Sequence, residues 1–447
     1  MGKLKRVSTN KVPSRRQFLK AVTATAGAVA FPYIVPSSAL GLNGTTSPSD
    51  RITIASIGVG GQGKANLRAF LNQPDTQVVA LCDVDTGHLA GAKEIVESFY
   101  KGRNDVPDYK GCDTYADFRE VLARPDVDAV CICTPDHWHA VVSIAAAEAG
   151  KDMYCEKPLA NTIAEGRAVV NAMKRYGRVF QTGSHERSRS NARYMAELVQ
   201  NGRIGKLHTI KVNMPIDHFP IPNQPLMEVP KELDYDMWLG PAPWAPYTEK
   251  RCHFFFRYIL DYSGGEMSDR GAHILDLAQF AHGTSASGPI SIKGRGDFPS
   301  DGIFDTAMKF ELEYEYADGV KIIADNEGPR GLKFIGSDGW IFEHVHGGNL
   351  ETSHPSLLKE VLGPDEIHLG RTESHHRNFL QAVYTRTEPF AQAEYGHRSA
   401  TMCHMANIAM KIGRKLQWDP EKEQFVNDDT ANSMLARPMR GPWGINV

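Results

Sequence analysis

Between residues 51 and 182, short apolar runs alternate with segments of helical period. The runs 52–57, 78–82, 127–133, 152–155 and 179–181 read as strands of a parallel sheet, buried on both faces. Segments 64–71, 139–149 and 163–176 read as helices, the second ended by Gly150. This alternation predicts a doubly wound α/β sheet. After Gly183 the pattern changes. A helix is expected near 192–200 and a strand near 207–214, and the Pro- and Trp-rich stretch 216–247 reads as loop. Run 308–314 alternates apolar and polar, and Asp318-Gly319 turns it into 320–323. Runs 333–335 and 340–342 flank Ser337-Asp338-Gly339, so a mainly antiparallel sheet is predicted, followed by helices near 372–385 and 396–415.

The first strand runs into Gly58-Val59-Gly60-Gly61-Gln62-Gly63, a helix follows, and the next strand ends at Asp83. That order is the layout of a dinucleotide-binding βαβ unit, so 51–182 is read as a Rossmann domain. Gly58 permits the tight turn, Gly60 lets the backbone approach a pyrophosphate, and Gly63 lets helix and strand pack closely. Gly61 and Gln62 complete the turn, at a helix N-terminus that offers N–H groups to phosphates. Asp83 would bond the ribose 2′-hydroxyl and repel a 2′-phosphate, which favours NAD over NADP.

The 447 residues carry a net charge of −3 and are long enough for two cores. Residues 1–39 hold seven basic residues and no acid, so the remainder stands at −10. An acidic body argues against a nucleic-acid partner. Ser14-Arg15-Arg16-Gln17-Phe18-Leu19-Lys20 resembles a twin-arginine export signal, followed by a weakly apolar stretch broken by Pro32 and Pro36. A signal peptide over 1–39 cleaved after Ala39, a linker over 40–50, the twin-arginine machinery as a partner and a periplasmic location are expected. Of seven scattered cysteines, Cys82, Cys131, Cys133 and Cys155 lie in or beside strand patterns and read as small core residues, and Cys131-x-Cys133 lacks a second pair to complete a zinc site.

Loops after parallel strands line the ligand crevice. Two such loops stand out: 134–139 (Thr-Pro-Asp-His-Trp-His) and Glu156-Lys157-Pro158. Thr134, Pro135, His137, His139, Glu156 and Lys157 are therefore assigned to the cofactor, with Lys157 at its nicotinamide end. Further on, Asp269, His273 and Asp276 are spaced to share one helix face, which suits an acid–base histidine oriented by a carboxylate. No metal is expected in this chain, and this group lacks a third ligand segment. His185, Arg187, His253, Arg257, Tyr262 and Asp276 are candidates for the substrate.

Together the glycine turn, the Asp-His-Trp-His loop, Glu156-Lys157-Pro158 and Asp269-x-x-x-His273 resemble the Gfo/Idh/MocA oxidoreductases over about residues 51–420. The resemblance implies a Rossmann domain followed, over 183–447, by an α/β domain with a large open antiparallel sheet. It further implies a site between the two and assembly as a homo-oligomer, a dimer or tetramer. Lys157 would contact the substrate hydroxyl and the nicotinamide ribose, and Asp269 and His273 match the second motif. Asp-Tyr-Ser-Gly-Gly (261–265) and Gly-His-Arg (396–398) look like an exported subgroup. Arg270 stands where an aromatic residue is more usual, which bears on the shape of the substrate pocket.

The chemistry expected is NAD(P)-dependent oxidation of a secondary hydroxyl on a sugar, cyclitol or related carbohydrate. His273 would take the proton, Asp269 would fix its tautomer, and Lys157 would stabilise the alkoxide. Free NAD is scarce outside the cytoplasm, so an exported enzyme would need to retain its cofactor through a redox-neutral cycle. One alternative is an NAD-dependent glycoside hydrolase or lyase, with Tyr262 or His253 as a second base. The other is a non-catalytic sugar sensor, against which the acid–base set of Lys157, Asp269 and His273 argues.

Overall fold

The computed structural model describes residues 47, 50–103, 109, 111–216 and 224–445. The signal peptide expected over 1–39 lies outside the described residues, as does the linker apart from Ser47 and Asp50. Among the described residues no helix is long and apolar enough to cross a membrane.

Six strands pair in parallel: β1 (Ile52–Ile57), β2 (Thr76–Cys82), β3 (Asp113–Tyr115), β4 (Ala129–Ile132), β5 (Asp152–Cys155) and β6 (Phe180–Thr182). Their order is β3-β2-β1-β4-β5-β6. The order reverses between β1 and β4, and this is where a doubly wound sheet opens a ligand crevice at its strand ends. β4 and β5 are buried at every residue because helices cover both faces. Helix Ile163–Tyr176 is fixed at both ends as its sequence suggests: Thr162 caps the Glu165 N–H, and Gly177 ends it at φ +60°. Helix Thr86–Tyr100 and strand β3 escaped the periodicity reading. The helix carries Gly87 and Gly91, and β3 is three residues long and polar.

The second sheet has nine strands: β7 (Leu207–Asn213), β8 (Ser291–Asp297), β9 (Lys309–Glu315), β10 (Lys321–Asp325), β11 (Gly331–Gly336), β12 (Trp340–Glu343), β13 (Leu350–Thr352), β14 (Leu416–Asp419) and β15 (Gln424–Phe425). Their order is β13-β12-β11-β7-β10-β9-β8-β14-β15, with every pair antiparallel except β7 with β10. The alternation expected in β9 is realised. Phe310, Leu312 and Tyr314 face the core, and Lys309, Glu311, Glu313 and Glu315 point the other way. Helices Ser190–Gln200, Gly271–His282 and Ala393–Ile412 bury the apolar face in one large cluster.

Two later segments return to the first sheet. Phe379, Leu380 and Ala382 of helix His375–Thr385 pack on Ile52, Ile54 and Tyr154. Within the stretch read as loop, the Thr86 N–H donates to the Glu232 carbonyl and the Asp234 N–H to the Val84 carbonyl, each at 2.9 Å. The short helix Tyr235–Leu239 follows and brings Trp238 over the crevice.

Candidate active site

One cleft of about 740 Å³ runs along the carboxyl ends of the parallel strands and under the second domain. That volume lies within the range of small-molecule and cofactor sites. At one end lies the glycine turn. Gly58 has φ +82°, and a Cβ there would sit 2.6 Å from the Cys133 carbonyl. A Cβ on Gly63 would sit 2.1 Å from the Gly58 carbonyl oxygen. Both glycines are therefore required by the packing of the turn itself. Gly61 faces open space, so the cradle is left free where a ligand's phosphates would lie. Helix Gly61–Leu71 starts without a side-chain cap, and its first turn lines the cleft. Its leading N–H groups are thus available to an anion.

Asp83, at the end of β2, accepts from the Val59 N–H at 2.7 Å and the Asp85 N–H at 2.9 Å. These bonds fix the carboxylate between the two strand ends. His88 lies 3.8 Å from Asp83, and His253 lies 3.7 Å from Asp85 with its ring against His88. His253 is expected at the substrate; the structure places it instead beside Asp85 and His88, at the Asp83 end of the cleft. Thr134, Pro135, His139, Glu156 and Lys157, all assigned to the cofactor, line the same cleft. Glu156 is buried and accepts from Asn66 at 2.8 Å and Gln62 at 3.1 Å, tying the glycine helix to the Glu-Lys-Pro loop.

The other end holds the acid–base groups. Lys157 Nζ donates to the Asp269 carboxylate at 2.6 Å and to the Asp269 carbonyl at 2.9 Å. Arg257 Nε stands 3.4 Å from the same carboxylate oxygen. Burial alone would raise the Asp269 carboxyl, but the two cations hold it well below the usual carboxylate range. Asp269 therefore orients Lys157. No hydrogen bond joins it to His273 among the described residues, and the expectation that it fixes that tautomer is corrected. His273 lies across the cleft with its Nδ1 unpartnered. Burial, then Lys157, His185 and His346, push it well below the ordinary histidine range, so it is neutral at pH 7.

Four further expectations, for Asp276, Arg187, Tyr262 and His137, fail for one reason: the side chains turn into the core. The helix is interrupted at Arg270, between Glu266–Asp269 and Gly271–His282. Asp276 turns inward, accepting from Arg187 at 2.6 and 2.8 Å and from Ser399 at 2.7 Å. Arg187 and Asp276 are thus a buried ion pair behind the site and not substrate ligands. Tyr262 is fully buried, with its hydroxyl on Arg251, so it cannot act as a base in the cleft. His137, expected at the cofactor, is fully buried, and its Nε2 is 3.0 Å from the Trp238 carbonyl. It braces the roof.

His185 and Arg257 do reach the cleft, and His346 joins them from the loop after β12. His346 was not anticipated. It sits in a glycine-flanked loop with no periodic signal and reaches the site only through sheet topology. Its ring is 5.1 Å from that of His273, and the His185 ring is 4.8 Å away. Behind them Glu186 accepts from this group, and burial with the Glu186 charge pushes Glu343 up to about 8.

Residues 52–184 match the oxidoreductase-family profile for the NAD-binding Rossmann fold, and residues 219–445 match the profile for the family's C-terminal alpha/beta domain. The myo-inositol 2-dehydrogenase of Thermotoga maritima is 28% identical over 302 residues, covering 63% of this chain and 81% of that protein. The alpha-N-acetylgalactosaminidase of Shewanella oneidensis is 33% identical over 174 residues, but this spans 36% of this chain and only 37% of that enzyme. The aldose-aldose oxidoreductase of Caulobacter crescentus, solved with glycerol, superposes with a TM-score of 0.59 at 19% identity, covering 82% of this chain and 99% of that one. With its cofactor turn and both domains matched, the chain belongs to the Gfo/Idh/MocA family of NAD-dependent oxidoreductases.

Proposed function

We propose that this protein transfers hydride between NAD and a secondary hydroxyl carbon of a sugar, cyclitol or related carbohydrate, and that it retains the cofactor through a redox-neutral cycle. The observation that carries the reading is a convergence. Charged Lys157 and neutral His273 line the same cleft as the glycine turn and Asp83. Bound nicotinamide supplies hydride acceptance and return. His273 takes the hydroxyl proton, and a buried neutral imidazole suits that task. Lys157 faces the oxygen as charge develops on it, and Asp269 and Arg257 hold that ammonium in place. Asp83 disfavours a 2′-phosphate, so NADP is the poorer fit.

The same reading has the chain exported folded by the twin-arginine route to the periplasm and assembled as a homo-oligomer. It is supported by Ser14-Arg15-Arg16-Gln17-Phe18-Leu19-Lys20 and by the broad outward face of the nine-stranded sheet. Purified without added nucleotide and then denatured, the protein should release about one NAD(H) per chain by mass spectrometry. NADP(H) instead would overturn the role given to Asp83, and no nucleotide would overturn retention.

A second reading, glycoside cleavage through transient oxidation, is favoured by the partial match to the alpha-N-acetylgalactosaminidase. It needs a second base near His273, a place that buried Tyr262 does not reach and from which Asp85 and His88 draw His253. Aglycone release from an activated glycoside without net NADH would favour it over the first.

A further inference from the structure

We infer that His185, Glu186 and His346 form a binding site for a zinc-class divalent cation at the rim of the catalytic cleft. One Glu186 carboxylate oxygen lies 3.3 Å from His185 Nδ1 and 3.2 Å from His346 Nδ1. The ligating atoms of all three residues fall within 4.8 Å of one another. Tetrahedral zinc with bonds of about 2.0–2.1 Å to nitrogen and oxygen has ligand–ligand edges of about 3.3–3.4 Å. Two edges of such a site are therefore already present. The third closes by rotation of two imidazoles that both border open cleft.

The charge around the group points the same way. Glu186 is 1% exposed, and its nearest permanent cation is Arg189, at 3.5 Å. Beside it lies a second buried carboxylate, Glu343, also 1% exposed, whose Oε2 has no hydrogen-bond partner. A buried carboxyl oxygen without a hydrogen-bond partner, next to a buried carboxylate, is costly until a further group satisfies it. Two imidazoles and a carboxylate select zinc, copper, nickel or iron over magnesium or calcium.

Three protein ligands leave one tetrahedral position open, and the cleft lies on that side, next to His273. An oxygen of a polyhydroxylated substrate would fill it; this role, unlike the site, rests on the carbohydrate reading above. The cation would hold a substrate oxygen and exchange no electrons. It is separate from the Asp269–His273–Asp276 group, where no metal was expected.

The test reads metal and not turnover, so it can fail independently of the oxidoreductase reading. Untagged protein, stripped with chelator and desalted, is titrated with ZnCl2 by calorimetry, and its zinc content is measured by elemental analysis. One equivalent is expected, together with a rise in melting temperature. His346→Ala and His185→Ala should each weaken binding at least about 100-fold while melting as cooperatively as the parent. His253→Ala, which alters the Asp85–His88–His253 cluster, should keep the full equivalent. No binding below millimolar zinc, retention of the equivalent by His346→Ala, or its loss in His253→Ala would each overturn the inference.

Discussion

Lys157 and Asp269, 112 residues apart in the chain, are joined by two hydrogen bonds from one ammonium, to the carboxylate at 2.6 Å and to the carbonyl at 2.9 Å. The pair spans the two domains, since Lys157 follows β5 of the parallel sheet and Asp269 ends a helix of the second domain. Each domain thus supplies half of a device that fixes one positive charge in a partly dry cleft. A charge held this way needs little reorganisation when an oxygen beside it becomes negative.

Lys157→Ala should therefore lower kcat by about 10²–10³-fold, the loss typical of one preorganised donor. The melting temperature should move little, because Lys157 is only partly buried and its loss leaves Asp269 paired with Arg257. Steady-state kinetics on an identified substrate check this. A variant with full turnover would remove Lys157 from the chemistry.

The pH profile reports on His273. A base must be unprotonated, and burial with the nearby Lys157 charge holds this imidazole neutral well below the ordinary histidine range. The kcat/KM for oxidation should stay level from pH 8 down to 6.5 and fall only at more acid pH. An unshifted histidine would already have lost half the rate at about pH 6.5. A fall centred at or above that pH, or one that persists in His273→Asn, would assign the profile to another group.

Five of the six strands of the first sheet, the glycine turn and the Glu-Lys-Pro loop were legible because each is a local signal. Apolar runs, a fixed glycine spacing and strand ends all lie within a few dozen residues. The failures were failures of direction. Asp276 has the right helical spacing from His273, yet Arg187 arrives from 89 residues earlier and pulls its carboxylate inward. Tyr262 and His137 sit beside functional residues in sequence but face a core assembled from the 233–262 segment. His346 could not be found at all, since only the pairing of β11, β12 and β7 carries its loop to the cleft. Periodicity tells which residues share a face; it does not tell which distant side chain will meet them.

The Arg187–Asp276 pair makes the cost of such a misreading measurable. Both side chains are 1% exposed. Asp276→Ala would strand a buried guanidinium and should cost about 3–5 kcal/mol of stability, through loss of its charge partner. Denaturant unfolding would show this as a lower midpoint. The double variant Arg187→Met with Asp276→Leu should recover much of the loss, because it leaves no uncompensated charge. Were Asp276 a substrate ligand, the single variant would instead raise KM at unchanged stability.

Acid should unfold this protein through histidines that lie outside its chemistry. His137 and His375 are pushed down to about 3, and His376 and His404 to about 4, in each case chiefly by burial. Each ring makes a bond that one neutral N–H can supply, for example His375 to the Thr182 carbonyl and His404 to the Ala160 carbonyl. In the unfolded chain these groups titrate near about 6.5. Between that pH and 4 the unfolded state therefore binds protons that the folded state refuses. Stability is complete above about pH 6.5 and falls as the pH drops, with each histidine adding a slope approaching about 1.4 kcal/mol per pH unit. Melting temperatures measured from pH 8 to pH 5 should be flat at first and then drop steeply. His404→Gln, which keeps a side-chain amide to donate to Ala160 and removes one titrating group, should make that drop shallower by one proton's worth. A drop confined to below pH 4.5, where carboxylates titrate, would show that these imidazoles are protonated in the folded state.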